Sequence, residues 1–245
     1  MRRQMVSEMR KLLTTRSVYT MAGGLLAIVL LGVIATVSDF DPRDARGSVA
    51  TLPFVNLALT AIPLFALLLG IRSFTDEFRF GSIVPTLLAE PHRERVLGAK
   101  VVTAAIAGVV LATAALGVAI AAGTPLAIAR GAEVSWSASE IATVMGRALG
   151  ATALWTTIGV GIGVAVRHQV AAIAGTLVWM VVGEGILAGF LPGIAPYFPG
   201  AAGLSIVGIN AGALLAPGIA TLVLATYALA ATGVGRALIT RRDVT

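Results

Sequence analysis

Six long, almost wholly apolar stretches constrain this chain more than any other feature: Val18 to Val37, Leu52 to Ile71, Val96 to Ala122, Ile141 to Val166, Val170 to Leu191 and Leu214 to Gly235. About 20 apolar residues in a helix cross a hydrocarbon core about 30 Å thick. The expected fold class is therefore an all-α polytopic membrane protein with six transmembrane helices, a single transmembrane domain over residues 1–245. Only 12% of the residues are charged, against roughly 25% in ordinary soluble domains. The chain has no cysteine, which excludes disulfides, redox pairs and thiolate metal sites.

The net charge of +6 would suit nucleic acid if the cations formed a patch, but they sit between the apolar blocks. Six spans put both termini on one side. With the termini inside, fourteen Lys/Arg fall on inner segments and four on outer ones (Arg43, Arg46, Arg130, Arg147). That bias predicts cytoplasmic termini and a cell-membrane location. It also accounts for the basic balance without a nucleic-acid partner.

Ahead of the first span, "MRRQMVSEMRKLLTTR" places Met5, Met9, Leu12 and Leu13 on one helical face and its charges elsewhere. A helix lying in the cytoplasmic interface is expected, either as a plain anchor or as an elbow contacting a partner.

The longest inner connection, "TDEFRFGSIVPTLLAEPHRERVLGAK", runs from Thr75 to Lys100. Thr75 or Asp76 is expected to cap a helical turn, with Asp76 and Glu77 near its positive end. Gly81 interrupts. Ser82 is expected to cap a second short helix that ends at Glu90, before Pro91. On that helix Ile83, Val84, Leu87 and Leu88 share one face. The face fits either a docking surface for a cytoplasmic partner or a return onto the membrane surface.

Glu184 is the one acidic residue deep inside an expected span. A carboxylate there costs about 2.5 to 3.5 kcal/mol on insertion scales, so it is expected on a substrate pathway or subunit interface, or close enough to the outer face to reach water. Glycine pairs four apart (Gly146 and Gly150, Gly185 and Gly189) and the cluster Gly159, Gly161 and Gly163 are read as helix-packing positions. Trp136 is expected at the outer interface, and Trp155 and Trp179 in packing roles. Pro192 to Gly218 is apolar, but its prolines forbid one continuous helix. A re-entrant pair of short helices on the outer side is the preferred reading, an irregular surface loop the other.

Catalytic signatures are missing. No phosphate loop of the form G-x-x-x-x-G-K-[ST] and no H-E-x-x-H occurs, and the histidines, His92 and His168, both fall at the cytoplasmic edge, far from Ser205. An enzyme is not expected, nor a metal site.

Over essentially its whole length the chain resembles the permease subunit of a type-2 ATP-binding cassette transporter. The resemblance is carried by "EMRKLLTTR" before the first span, the six spans, a closing "RRDV" and above all "DEFRFGSIVPTLLAEPHRERVLGAK". In that motif Glu77, Gly81, Ser82, Leu88, Pro91, Arg93 and Lys100 match the family pattern. His92, where a small residue is common, and Pro85, inside the short helix, depart from it. The resemblance implies an N-terminal elbow helix, a coupling helix between spans two and three, and a re-entrant segment between spans five and six.

It further implies an exporter in which this permease pairs with a second, identical or related, and two separate ATPase subunits bind ATP and Mg. This chain itself would carry no cofactor. The expected partner-binding residues are Glu77, Gly81, Ser82, Ile83, Val84, Leu87, Leu88, Pro91 and Arg93. Glu184 would belong to the pathway or subunit interface, and Pro192, Pro196, Tyr197 and Pro199 to an outer gate. A stand-alone secondary transporter or channel is the alternative; it would call for several ionisable groups at the midplane or for paired broken helices.

Overall fold

The computed structural model describes residues 2–38, 49, 52–89, 92–131, 136–209 and 215–241. Among them every regular element is helical: α1 (Arg2–Thr14), α2 (Arg16–Ser38), α3 (Pro53–Arg79), α4 (Ile83–Ala89), α5 (Arg93–Ala129) and α6 (Ala138–Val166) come first. Then follow α7 (Gln169–Val178), a π turn (Trp179–Gly183), α8 (Glu184–Phe190), a 3-10 turn (Ala195–Tyr197), α9 (Pro199–Val207) and α10 (Pro217–Arg241). Six segments are long and apolar enough to cross a membrane, namely α2, α3, α5, α6, the α7–α8 rod and α10. The chain is a polytopic membrane protein.

The centre of the bundle is the crossing of α3 and α6. A stack of α2 and α5 lies on one flank, and α10, α7 and α9 lie on the other. The crossing is close because glycines meet there. A Cβ on Gly70 would strike the Thr156 carbonyl, and one on Gly159 would strike the Leu67 carbonyl. Gly161 allows the same approach to Ala231 of α10. In lipid, where tails are as apolar as leucine, such contact replaces the hydrophobic effect as the source of helix association. Around Gly146, Gly150, Gly185 and Gly189, by contrast, an added Cβ would meet nothing within 4 Å among the described residues, so these four pack no described helices together.

Helix ends follow local chemistry. Pro53 starts α3, where a missing N–H costs nothing. Ser137 caps α6 by accepting from the Glu140 amide at 3.2 Å. Arg167 then turns with φ of 59°, and His168 Nδ1 accepts from the Ala171 amide at 3.2 Å to open α7, so two residues reverse the chain.

Three local expectations change. Helix α3 does not stop at Thr75: the Thr75 hydroxyl donates back to the Ile71 carbonyl at 3.0 Å, and the helix runs on to Arg79. Ile71 and Phe74, both fully buried, and an Arg72–Asp76 ion pair at 3.4 Å continue the helical pattern past the expected break. Gly81, with φ of +68°, is the true interruption. The chain then re-enters a helix directly, and Pro85 sits in the first turn of α4, where no backbone donor is required. The helix ends at Ala89; Glu90 and Pro91 lie outside the described residues.

Between Pro192 and Gly218 there is one short α-helix, α9, preceded by a 3-10 turn rather than a pair of helices among the described residues. It is not an exposed loop. Ala202, Gly203, Ser205, Ile206 and Val207 of α9 are buried against the bundle.

Candidate functional site

The charged end of the bundle, where α1, α4 and the start of α5 meet, contains a closed network of ions. Lys100 of α5 is 1% exposed. Its ammonium donates to Glu8 Oε2 at 2.7 Å and to the Ser73 carbonyl at 3.1 Å, and pairs with Glu77 Oε1 at 2.9 Å. It also lies 5.7 Å from the centre of the Phe74 ring, within cation–π range. Lys11 of α1 donates to Glu8 Oε1 at 2.7 Å, Glu77 Oε1 at 2.7 Å and the Thr86 hydroxyl at 3.2 Å.

Two ammoniums and two carboxylates thus join α1, α3, α4 and α5. Lys11 uses all three of its N–H groups in hydrogen bonds, while Lys100 donates two and holds Glu77 as an ion pair. The network is electrically neutral, which is what allows it to be buried. Burial works to raise the Glu8 carboxyl, but the charge of Lys100 and the hydrogen bonds from Lys100 and Lys11 outweigh it and hold the group below the ordinary carboxylate range. Burial likewise works to lower Lys11, yet its bonds to Glu77 and Glu8 raise it above the ordinary lysine range.

This arrangement revises the expected surface of α1. Glu8 is buried, while Met5, Met9 and Leu12 are half-buried and Leu13 is exposed. The helix turns a charged edge inward because Lys100 supplies a partner there.

The residues expected to meet a partner fall into two groups. Ile83 is 4% exposed in the core, and Glu77 is committed to Lys11 and Lys100, so both face inward. Arg93 donates to the Ile239 carbonyl at 2.8 Å, in the last turn of α10, where a cation complements the helix dipole. Val84 and Leu88 are exposed, Leu88 at 78%, and so is Phe80 just before Gly81. Backbone geometry is the role visible for Gly81, and Ser82 accepts the Thr86 amide at its carbonyl, 3.3 Å away. Pro91 and the side chain of Leu87 lie outside the described residues.

At the other end of the bundle, Glu184 caps a helix. Its carboxylate accepts from the Gly200 amide, 2.9 Å from one oxygen and 3.1 Å from the other. Gly200 is the second residue of α9, so the charge sits at the N-terminal end of that helix, where N–H groups lack intrahelical partners. Nothing in the local sequence marks this, because the partner lies 16 residues downstream. The π turn Trp179–Gly183 comes directly before Glu184 and shifts its register on the rod.

Glu184, Trp155 and Met180 form a partition between two cavities. One, about 390 Å³, lies among α6, the α7 rod and α10; the other, about 550 Å³, opens beneath Pro192, Pro196 and α9. Of the expected gate residues, Pro192 and Pro196 line the second cavity and Pro199 the first, while Tyr197 is exposed in the 3-10 turn. Trp155 is buried in packing, and Trp179 is partly exposed beside Glu184.

No family model matches this chain, and no curated protein matches it significantly.

Proposed function

We propose that this protein is the transmembrane subunit of an ATP-driven exporter of the ATP-binding cassette type. In this reading both termini are cytoplasmic, α1 is the elbow helix, α4 the coupling helix and α9 the re-entrant segment. Two copies, or this chain and a related one, would form the pathway. Two separate ATPase subunits would supply ATP and Mg chemistry from below.

The observation that carries the reading is the attachment of α4. A seven-residue helix has too few hydrogen bonds to hold itself together in water. Here it is anchored by Ile83 in the core and by Thr86 on Lys11, while Val84 and Leu88 are left outward. A push on that outer face would be delivered through Lys11 to Glu8 and Lys100, and so to α1 and α5 together. An ATPase that binds this face differently in its ATP-bound and ATP-free states would shift the permease between two conformations.

On this reading Glu184 and α9 lie on the export path. Releasing the Glu184 cap would let α9 move and join the two cavities.

The test is co-purification. An ATPase subunit should accompany the protein from its own cells, and the double change Val84→Asp and Leu88→Asp should abolish the association while helicity and thermal stability persist. Retention of the ATPase by a folded double mutant would sink the docking claim, and a stably folded chain that transports without any ATPase would favour a stand-alone transporter. Glu184→Gln should alter transport with ATPase association intact.

A further inference from the structure

At the charged end a cavity of about 260 Å³ lies among α1, α2, α3 and α5. Its walls are of two kinds. Val18, Met21 and Leu69 belong to membrane spans, whereas Lys11, Arg72, Asp76, Glu77 and Lys100 supply charge. The change from apolar to charged lining occurs at the charged ends of the apolar stretches of α2 and α3, where lipid headgroups are expected. The volume is far more than one water needs.

The polar capacity still open in this cavity is specific. Lys11 has spent its N–H groups on Glu8, Glu77 and Thr86, and Lys100 donates to Glu8 and Ser73 and is held by Glu77 as an ion pair. Glu77, 5% exposed, uses Oε1 for both lysines and leaves Oε2 buried without a hydrogen bond. Asp76 Oδ1 is likewise buried and unbonded. Arg72 Nε lies 3.4 Å from Asp76 Oδ2, an ion pair not aligned as a hydrogen bond, so that donor is also unspent. These two carboxylate acceptors and one guanidinium donor are buried atoms of residues that line the cavity, within reach of it by side-chain rotation rather than exposed to it.

With Glu8 included, the surrounding charges are three positive (Lys11, Arg72, Lys100) and three negative (Glu8, Asp76, Glu77). A neutral wall does not concentrate an anion. It suits a zwitterion whose ammonium donates to Asp76 and Glu77 and whose phosphate accepts from Arg72, with its hydrocarbon against Val18, Met21 and Leu69. A trimethylammonium head has no N–H to give and would leave both acceptors unbonded.

We infer that this cavity is a binding site for a phospholipid with a primary-amine headgroup, of the phosphatidylethanolamine class. The inference does not depend on the transport reading, because it is tested on the isolated chain.

The full-length protein is equilibrated with mixed micelles of equal phosphatidylethanolamine, phosphatidylcholine and phosphatidylglycerol, and lipids that remain bound are read by native mass spectrometry. Phosphatidylethanolamine should be retained over phosphatidylcholine by roughly tenfold, the worth of one charge-assisted hydrogen bond. Asp76→Asn and Arg72→Gln should each remove most of that preference. Should Asp76→Asn fail to fold, Ser17→Trp fills the cavity from α2 without touching its charges and should expel the lipid. Equal retention of the two zwitterionic lipids, or preference for phosphatidylglycerol, overturns the proposal. So does thermal stabilisation by soluble O-phosphoethanolamine equal to that by the lipid, which would assign the site to a free amine phosphate.

Discussion

Lys100 shows what a single side chain can demand of its surroundings. An ammonium that is 1% exposed needs every N–H bonded and a counter-charge in contact, and α1 supplies half of that through Glu8. Lys100→Met alone should leave Glu8 buried against Lys11 only and destabilise the protein by about 3–5 kcal/mol. Adding Glu8→Gln should recover part of that loss. Thermal unfolding of the two variants measures both effects. The pH dependence follows from the shifts on α1. The lowered Glu8 contributes stability above the ordinary carboxylate range, lost only as pH falls through its depressed folded value. The raised Lys11 contributes stability below the ordinary lysine range, lost only as pH rises through its elevated value. Spin labels on α1 and α5 should keep a constant separation between those limits and part at strong acid or strong base. The sequence shows Glu8 and Lys100 plainly as charges, but 92 residues separate them. Periodicity and charge bias describe a residue's neighbours along the chain, so a pair created by folding is invisible to them.

Elements were legible to different depths. The apolar runs are long enough that their helicity and approximate ends follow from length and composition alone, and Gly81 marks a real break because its left-handed φ is closed to other residues at little cost. The continuation of α3 past Thr75 was hidden, since Thr75 and Asp76 are good caps in isolation and only burial of the Phe74 face decides against capping. Glycine patterning was a guide in one place and not in another: the cluster Gly159, Gly161 and Gly163 does pack against α3 and α10. Gly146 and Gly150, and Gly185 and Gly189, have no neighbour within 4 Å among the described residues, whereas Gly70, which belongs to no such pattern, sits against the Thr156 carbonyl. Gly70→Val and Gly159→Leu should therefore cost about 1–3 kcal/mol or more through overpacking, while Gly146→Ala stays within about 0.5 kcal/mol. Melting temperatures in one detergent compare the three directly. Because Glu184 caps α9, Glu184→Leu should loosen that helix, seen as faster thiol labelling of a cysteine placed at Ser205.

For the whole molecule, α1, α4 and the end of α10 share one end of the bundle. Lys11 reaches Thr86, Arg236 pairs with Glu94 at 2.9 Å, and Arg93 reaches Ile239. Which end faces the cytoplasm follows in our proposal from the Lys/Arg bias. The lack of native cysteine makes this simple to test. A cysteine at exposed Thr14 should react with a membrane-impermeant thiol reagent only after the cell membrane is breached, and one at exposed Ser139, in the first turn of α6, should react in intact cells. The reverse pattern would invert the topology.

The ion network also sets an order of assembly. Glu8 and Glu77 leave the ribosome before Lys100 does, so both carboxylates are already in the chain when the lysine that needs them follows. The third span need never wait in the bilayer with an unaccompanied cation at its entrance. An acid is the cheaper partner to keep waiting, since Glu8 on α1 precedes the first span and can stay hydrated, paired with Lys11, until α5 arrives. The first helix of the chain is in this sense a fitting held ready for the fifth, and the last turn of its docking is the arrival of Lys100.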